Sequence, residues 1–111
     1  MKLIDEIQGK INEFSLICRE HDVQFLYAFG SSITPEFDEK ESDFDFLVSI
    51  DEEDPLLKGE KLISLWDKLE NFFHRKIDLL TENSIKNPFL KKSIDDTKVL
   101  IYDGREKKVL I

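Results

Sequence analysis

Residues 43–50 read Asp-Phe-Asp-Phe-Leu-Val-Ser-Ile, acid alternating with aromatic before the run turns almost wholly apolar. That pattern is a strand entering a core, and a strand so apolar must be covered by other elements. Two stretches can cover it. Ile4, Ile7, Ile11, Phe14 and Cys18, with Leu3 and Ile17 alongside, recur at helical spacing and predict a helix over 3–20. Leu62, Leu65, Trp66, Leu69, Phe72 and Phe73 predict a second, over 56–75, after a charged turn at 51–55. Further strands are expected at 23–29, ending on Gly30, at 76–81 and at 99–102. Residues 31–42 are polar, contain Pro35, and read as a short helical turn plus loop, while 84–96 hold a helix around Pro88. The tail, 105–111, carries no readable element. Helices alternating with strands predict an α/β fold, a small mixed β-sheet flanked by helices.

A chain of 111 residues and 13.1 kDa is expected to form a single domain over 1–111, burying roughly 65% of its unfolded surface. Nine Phe and 41% hydrophobic residues argue against disorder. The single Cys18 excludes an internal disulfide framework and a zinc site built on cysteines. No apolar stretch approaches a membrane span and no signal-peptide pattern opens the chain, so a cytoplasmic protein is expected. The net charge of −8 is unevenly placed. Residues 36–54 hold ten acids and one base, leaving 15 bases against 14 acids elsewhere. An acidic block repels a nucleic-acid backbone and attracts cations, which excludes broad nucleic-acid binding.

The chemistry concentrates at strand acids. On a strand, Asp43 and Asp45 share one face, about 6–7 Å apart by the strand rise. An isolated Asp-x-Asp is ordinarily the polar side of a half-buried strand. Asp is nevertheless disfavoured in strands, and adjacent like charges cost energy without a counter-ion, so a divalent metal is the simplest reason for the pair. Asp78, inside Lys76-Ile77-Asp78-Leu79-Leu80, adds a third strand acid. Three carboxylates suit paired Mg²⁺ ions that hold a triphosphate, with one carboxylate acting as base. Phe29-Gly30-Ser31-Ser32 supplies a turn in which backbone amides and a hydroxyl can meet phosphate. A serine-hydrolase elbow is excluded because Gly-x-Ser-x-Gly is absent. An EF-hand is excluded because Leu47 and Val48 stand where a ligand and a glycine are required.

Strand, Gly30-Ser31, a dozen loop residues, Asp43-x-Asp45, helix and Asp78 together resemble the DNA-polymerase-β-like nucleotidyltransferase superfamily. More narrowly, the chain is similar to the minimal nucleotidyltransferases, the MNT domain proteins, from about Phe25 to Tyr102. The resemblance extends to Asn87-Pro88-Phe89-Leu90 and Val99-Leu100-Ile101-Tyr102. It implies that Gly30 and Ser31 bind nucleotide phosphates, that Asp43 and Asp45 ligate Mg²⁺, and that Asp78 completes the triad as ligand and base. It further implies ATP as the nucleotide, two Mg²⁺ ions, and an antitoxin role beside a helical HEPN toxin whose tyrosine some relatives adenylylate. Homo-oligomerisation is left open.

One position departs from the pattern. Many active relatives carry arginine three residues after the motif serine, where this chain has Thr34 followed by Pro35. The loss bears on catalytic efficiency more than on metal binding; Lys40, Arg75 and Lys76 are the nearby substitutes by sequence. Two functions are therefore expected to compete: transfer of a nucleoside monophosphate to a hydroxyl of a protein partner, and an inactive antitoxin that acts by contact alone. Trp66, Phe72 and Phe73 are expected in the core or facing a partner, with the core favoured, His21 and His74 as solvated helix caps, and Cys18 as a small buried residue.

Overall fold

The computed structural model describes residues 2–34 and 43–111. The expected first helix is two helices, α1 (Lys2–Gly9) and α2 (Ile11–Glu20). Lys10 breaks them with φ −141° and ψ 51°. The apolar stripe continues across the break, so Leu3, Ile7, Phe14 and Cys18 are all buried on one side. Lys10 uses its freedom to place its ammonium 3.5 Å from the Phe72 carbonyl and 4.6 Å above the Phe72 ring. A cation there complements the negative end of the helix that Phe72 helps to close.

β1 (Val23–Phe29), β2 (Phe44–Ile50), α3 (Pro55–Phe73), β3 (Ile77–Leu80), α4 (Pro88–Thr97), β4 (Val99–Asp103) and β5 (Lys108–Val109) complete the order. Asp54 starts α3: its carboxylate accepts from Leu56 N at 2.9 Å and Leu57 N at 3.5 Å, and Pro55 fills the first turn. Asn87 and Pro88 start α4 in the same way. The acidic block is thus partly structural, since Glu52 also pairs with Lys61. The unreadable tail is a turn followed by β5, whose two residues pair with Tyr102 and Asp103. Two residues are too few to show a period.

The sheet order is β3-β2-β1-β4-β5. β2 and β3 are parallel, joined by α3, while the other pairs are antiparallel. The mixed α/β sheet agrees with the expectation. On one face, Leu26, Ala28, Phe44, Phe46, Val48, Ile77 and Leu79 pack under α1, α2 and α3. Phe73 is the hinge of that core, with ring centroids 5.0 Å from Phe44, 5.7 Å from Phe46 and 4.8 Å from Phe72. The other face carries Phe29, Leu47 and Ile94, with Tyr27, Leu80 and Ile85 around them.

Two expectations are corrected. His21 is buried rather than a solvated cap, with Nδ1 2.6 Å from Ile17 O and Nε2 2.8 Å from Ser64 Oγ. It therefore ties α2 to α3. His74 is exposed and closes α3 in the left-handed region, as a helix terminus permits. Of the two places expected for Trp66, the core is not the one found: it is 36% exposed and donates Nε1–H to Ile77 O at 3.1 Å. Phe72, Phe73 and Cys18 are buried as expected, and burial pushes the Cys18 thiol well above its ordinary value.

Candidate active site

Strand directions bring the candidate residues together. β1 runs antiparallel to β2, and β2 parallel to β3, so the end of β1 lies level with the starts of β2 and β3. In that row Phe29 pairs with Asp45, and Asp45 with Asp78. Gly30 follows directly and opens a short 3-10 turn over Gly30–Ile33.

Gly30 takes φ +68°, which glycine adopts without the steric cost other residues carry. The turn is fastened to β2 by Ser32, which is buried. Its hydroxyl donates to Phe29 O at 2.5 Å and accepts from Asp45 N at 3.2 Å. Ser32, rather than Ser31, is thus the structural serine of the turn, and only the doubling of serine in the sequence points to it. Ser31 lies half-buried on the turn. Its carbonyl accepts from Thr34 N at 3.2 Å and Thr34 Oγ1 at 3.3 Å, while its hydroxyl makes no hydrogen bond among the described residues.

Asp45 and Asp78 stand side by side on adjacent strands, whose spacing is about 4.8 Å. Asp45 is half-buried; Asp78 and Asp43 are exposed. The Asp45 carboxyl is pushed up to about 6, first by burial, then by the charge of Asp78 and a hydrogen bond with it, and last by Asp43. Asp43 precedes β2, outside the ladder. Among the described residues no three carboxylate, histidine or cysteine groups stand around one point as a metal cage. The expected triad is therefore a facing pair with Asp43 beside it. Its donor set is entirely carboxylate oxygen, and its mutual repulsion is what a hard divalent cation such as Mg²⁺ relieves.

Of the basic candidates, Arg75 lies 4.6 Å over the Phe44 ring, on the α3 side of β2 and away from the Asp45 face. Lys76 is exposed. Lys40, and the part of the acidic block at 36–42, lie outside the described residues.

The family model for polymerase beta nucleotidyltransferases matches residues 11–107. The chain belongs to that nucleotidyltransferase family. Two proteins of Methanocaldococcus jannaschii, each named "Putative protein adenylyltransferase", are 37% and 38% identical to it. The first alignment covers 91% of this chain and 100% of the relative, the second 92% and 99%. Among solved structures, a toxin–antitoxin complex with AMP-PNP superposes with TM-score 0.61 at 20% identity, covering 88% of this chain and 77% of the other. A tri-AMPylated Shewanella oneidensis HEPN toxin in complex with its MNT antitoxin gives TM-score 0.51 at 19% identity, covering 96% and 76%. These structural likenesses establish a shared fold, and no helix among the described residues is long and apolar enough to cross a membrane.

Proposed function

We propose that this nucleotidyltransferase moves AMP from ATP to a hydroxyl of a protein partner, a HEPN-type toxin, with Asp43, Asp45 and Asp78 holding Mg²⁺. The observation that carries the reading is the in-register pair of Asp45 and Asp78 beside the left-handed Gly30 turn. Gly30 leaves room for a phosphate chain to approach the backbone, and the Ser31 hydroxyl on the same turn can donate to a phosphate oxygen. Asp78, the more exposed of the facing pair, takes the proton from the acceptor hydroxyl in this reading, which its exposure supports. The freed oxygen attacks the α-phosphorus and pyrophosphate leaves, so AMP ends esterified to the partner. A bound Mg²⁺ would neutralise charge on the triphosphate and acidify the attacking hydroxyl. Names given to the relatives in Methanocaldococcus support protein as the acceptor class, and the toxin–antitoxin neighbours support the type of partner.

A second reading has an observation of its own. Thr34 stands where arginine occurs in many active relatives, and its hydroxyl is tied to Ser31 O, so it offers a triphosphate no positive charge. A contact-only antitoxin would tolerate that change. The deciding experiment mixes the chain, a HEPN-type partner, Mg²⁺ and labelled ATP, and looks for label on the partner by gel and mass spectrometry. Label lost in Asp45→Asn and Asp78→Ala, with the complex intact, supports transfer. Tight binding without label from ATP, CTP, GTP or UTP supports contact alone.

A further inference from the structure

β3 is only Ile77–Leu80, lies at the edge of the sheet, and follows α3 after a link of residues 74–76. Four residues at an edge are weakly held by their own ladder. A slip of one residue would turn the Asp78 side chain onto the opposite face, under α3. Something must hold the strand in place.

The two main-chain polar atoms of Ile77 are both taken by side chains of α3. Glu70 Oε2 accepts from Ile77 N at 3.2 Å, and Trp66 Nε1 donates to Ile77 O at 3.1 Å. Trp66 and Glu70 are four residues apart, so they stand one above the other on the helix and together form a donor–acceptor fork. Any residue at this height on the edge would offer the same N–H and C=O, so the fork holds the strand in place, while burial of the Ile77 side chain selects the face. Ile77 is the neighbour of Asp78, and Ile77 pairs with Phe44 as Asp78 pairs with Asp45. The fork therefore pins the outer edge of β3 beside the carboxylate pair. It also explains why a tryptophan with 36% exposure stands at this position on α3. Its N–H gives the half-covered ring a polar anchor as well.

We propose that Trp66 and Glu70 are positioning residues for Asp78, pinning the outer edge of β3 so that Asp78 stays beside Asp45. The inference rests on the transferase reading for its catalytic consequence, but not for its structural one.

The test uses the full chain with four substitutions. Trp66→Phe keeps an aromatic ring and removes the donor. Glu70→Ala removes the acceptor, and Glu70→Gln restores one through its amide oxygen. Leu57→Ala, on exposed α3 surface away from the fork, is the control. Amide exchange in the ligand-free protein is expected to quicken about tenfold at residues 77–80 in Trp66→Phe and Glu70→Ala, with β1 and β2 unchanged. Glu70→Gln should stay near wild type. In transfer of label from ATP to a HEPN-type partner, kcat should fall about tenfold in the same two variants, with a smaller rise in KM for ATP, because a displaced Asp78 is lost as base and as one of three metal ligands. Glu70→Gln should recover kcat. Unchanged exchange at 77–80 in Trp66→Phe and Glu70→Ala would overturn the proposal. So would a Glu70→Gln variant as impaired as Glu70→Ala, or a rate loss that merely tracks a lower melting temperature. A wild-type chain that labels no partner would overturn the transferase reading alone, with exchange still deciding whether the fork holds β3.

Discussion

A Cβ built on Gly30 would lie 2.6 Å from Asp45 Oδ2. Glycine is required twice at this position, once for its φ of +68° and once for the space its missing side chain leaves to the carboxylate. Gly30→Ala should cost about 1–2 kcal/mol for the left-handed backbone. It should also push the Asp45 carboxylate from its place. Urea unfolding reads the first effect. The second is read by the rise in melting temperature with Mn²⁺, expected in wild type and diminished in the variant.

Gly104 presents the harsher steric case. A Cβ there would stand 2.0 Å from Val23 O and 2.9 Å from Gln24 O, both backbone atoms that cannot rotate away. Gly104 N also donates to Gln24 O at 2.7 Å, so the turn after β4 is closed against β1. Gly104→Ala should destabilise by roughly 3 kcal/mol, at the upper end for overpacking. Gly9→Ala is the comparison, since a Cβ there meets nothing within 4 Å and should be neutral or mildly stabilising. Denaturant midpoints of the two variants should move in opposite directions, or that of Gly9→Ala not at all.

The features legible in the sequence were those carrying a local signature. β2 shows acid–aromatic alternation, α3 a helical period, Gly30 a strand-ending turn, and Asp78 an acid inside an apolar run. What escaped depends on distant partners or on phase. The break at Lys10 is invisible because the buried stripe stays in phase across it. His21 reads as a cap until its partner, Ser64, is known to lie against it. Trp66 reads as core because hydropathy cannot distinguish a ring that packs from one that donates to an edge strand. The facing of Asp45 by Asp78, and the position of Asp43 outside the ladder, are matters of register.

The His21 bridge is measurable. Ile17 O can only accept, so Nδ1 carries the proton, and in the neutral ring Nε2 accepts from the Ser64 hydroxyl. Ser64→Ala should cost about 1 kcal/mol, and His21→Ala about 1–3 kcal/mol because it also strips a buried ring from α2. The double variant should cost less than the two singles together, by about 1 kcal/mol of coupling in a thermodynamic cycle. Strict additivity would mean that the two side chains do not interact in solution.

Asp45, rather than Asp43, should hold the electrostatic strain of the site. Its carboxyl rises from an ordinary 3.8 to about 6 through burial and the neighbouring charges of Asp78 and Asp43, so ionising it opposes folding. The stability associated with its neutral form is fully present below pH 4 and is lost as pH rises through about 6. Asp45→Asn removes the charge and keeps a group that can donate to Asp78. In metal-free protein the substitution should therefore leave stability unchanged below pH 4, then stabilise increasingly, reaching a plateau of about 1–3 kcal/mol above pH 7. Asp43→Asn, on an exposed residue outside the ladder, should change stability by less than about 0.5 kcal/mol at any pH. Urea unfolding of the three proteins between pH 4 and pH 8, in chelator, separates these outcomes. A pH-independent loss of stability in Asp45→Asn would mean that its carboxylate is a structural acceptor and not a charge held against repulsion. With saturating Mn²⁺ at pH 7.5 the order should reverse, wild type gaining what Asp45→Asn cannot, because the cation binds the carboxylate the variant lacks.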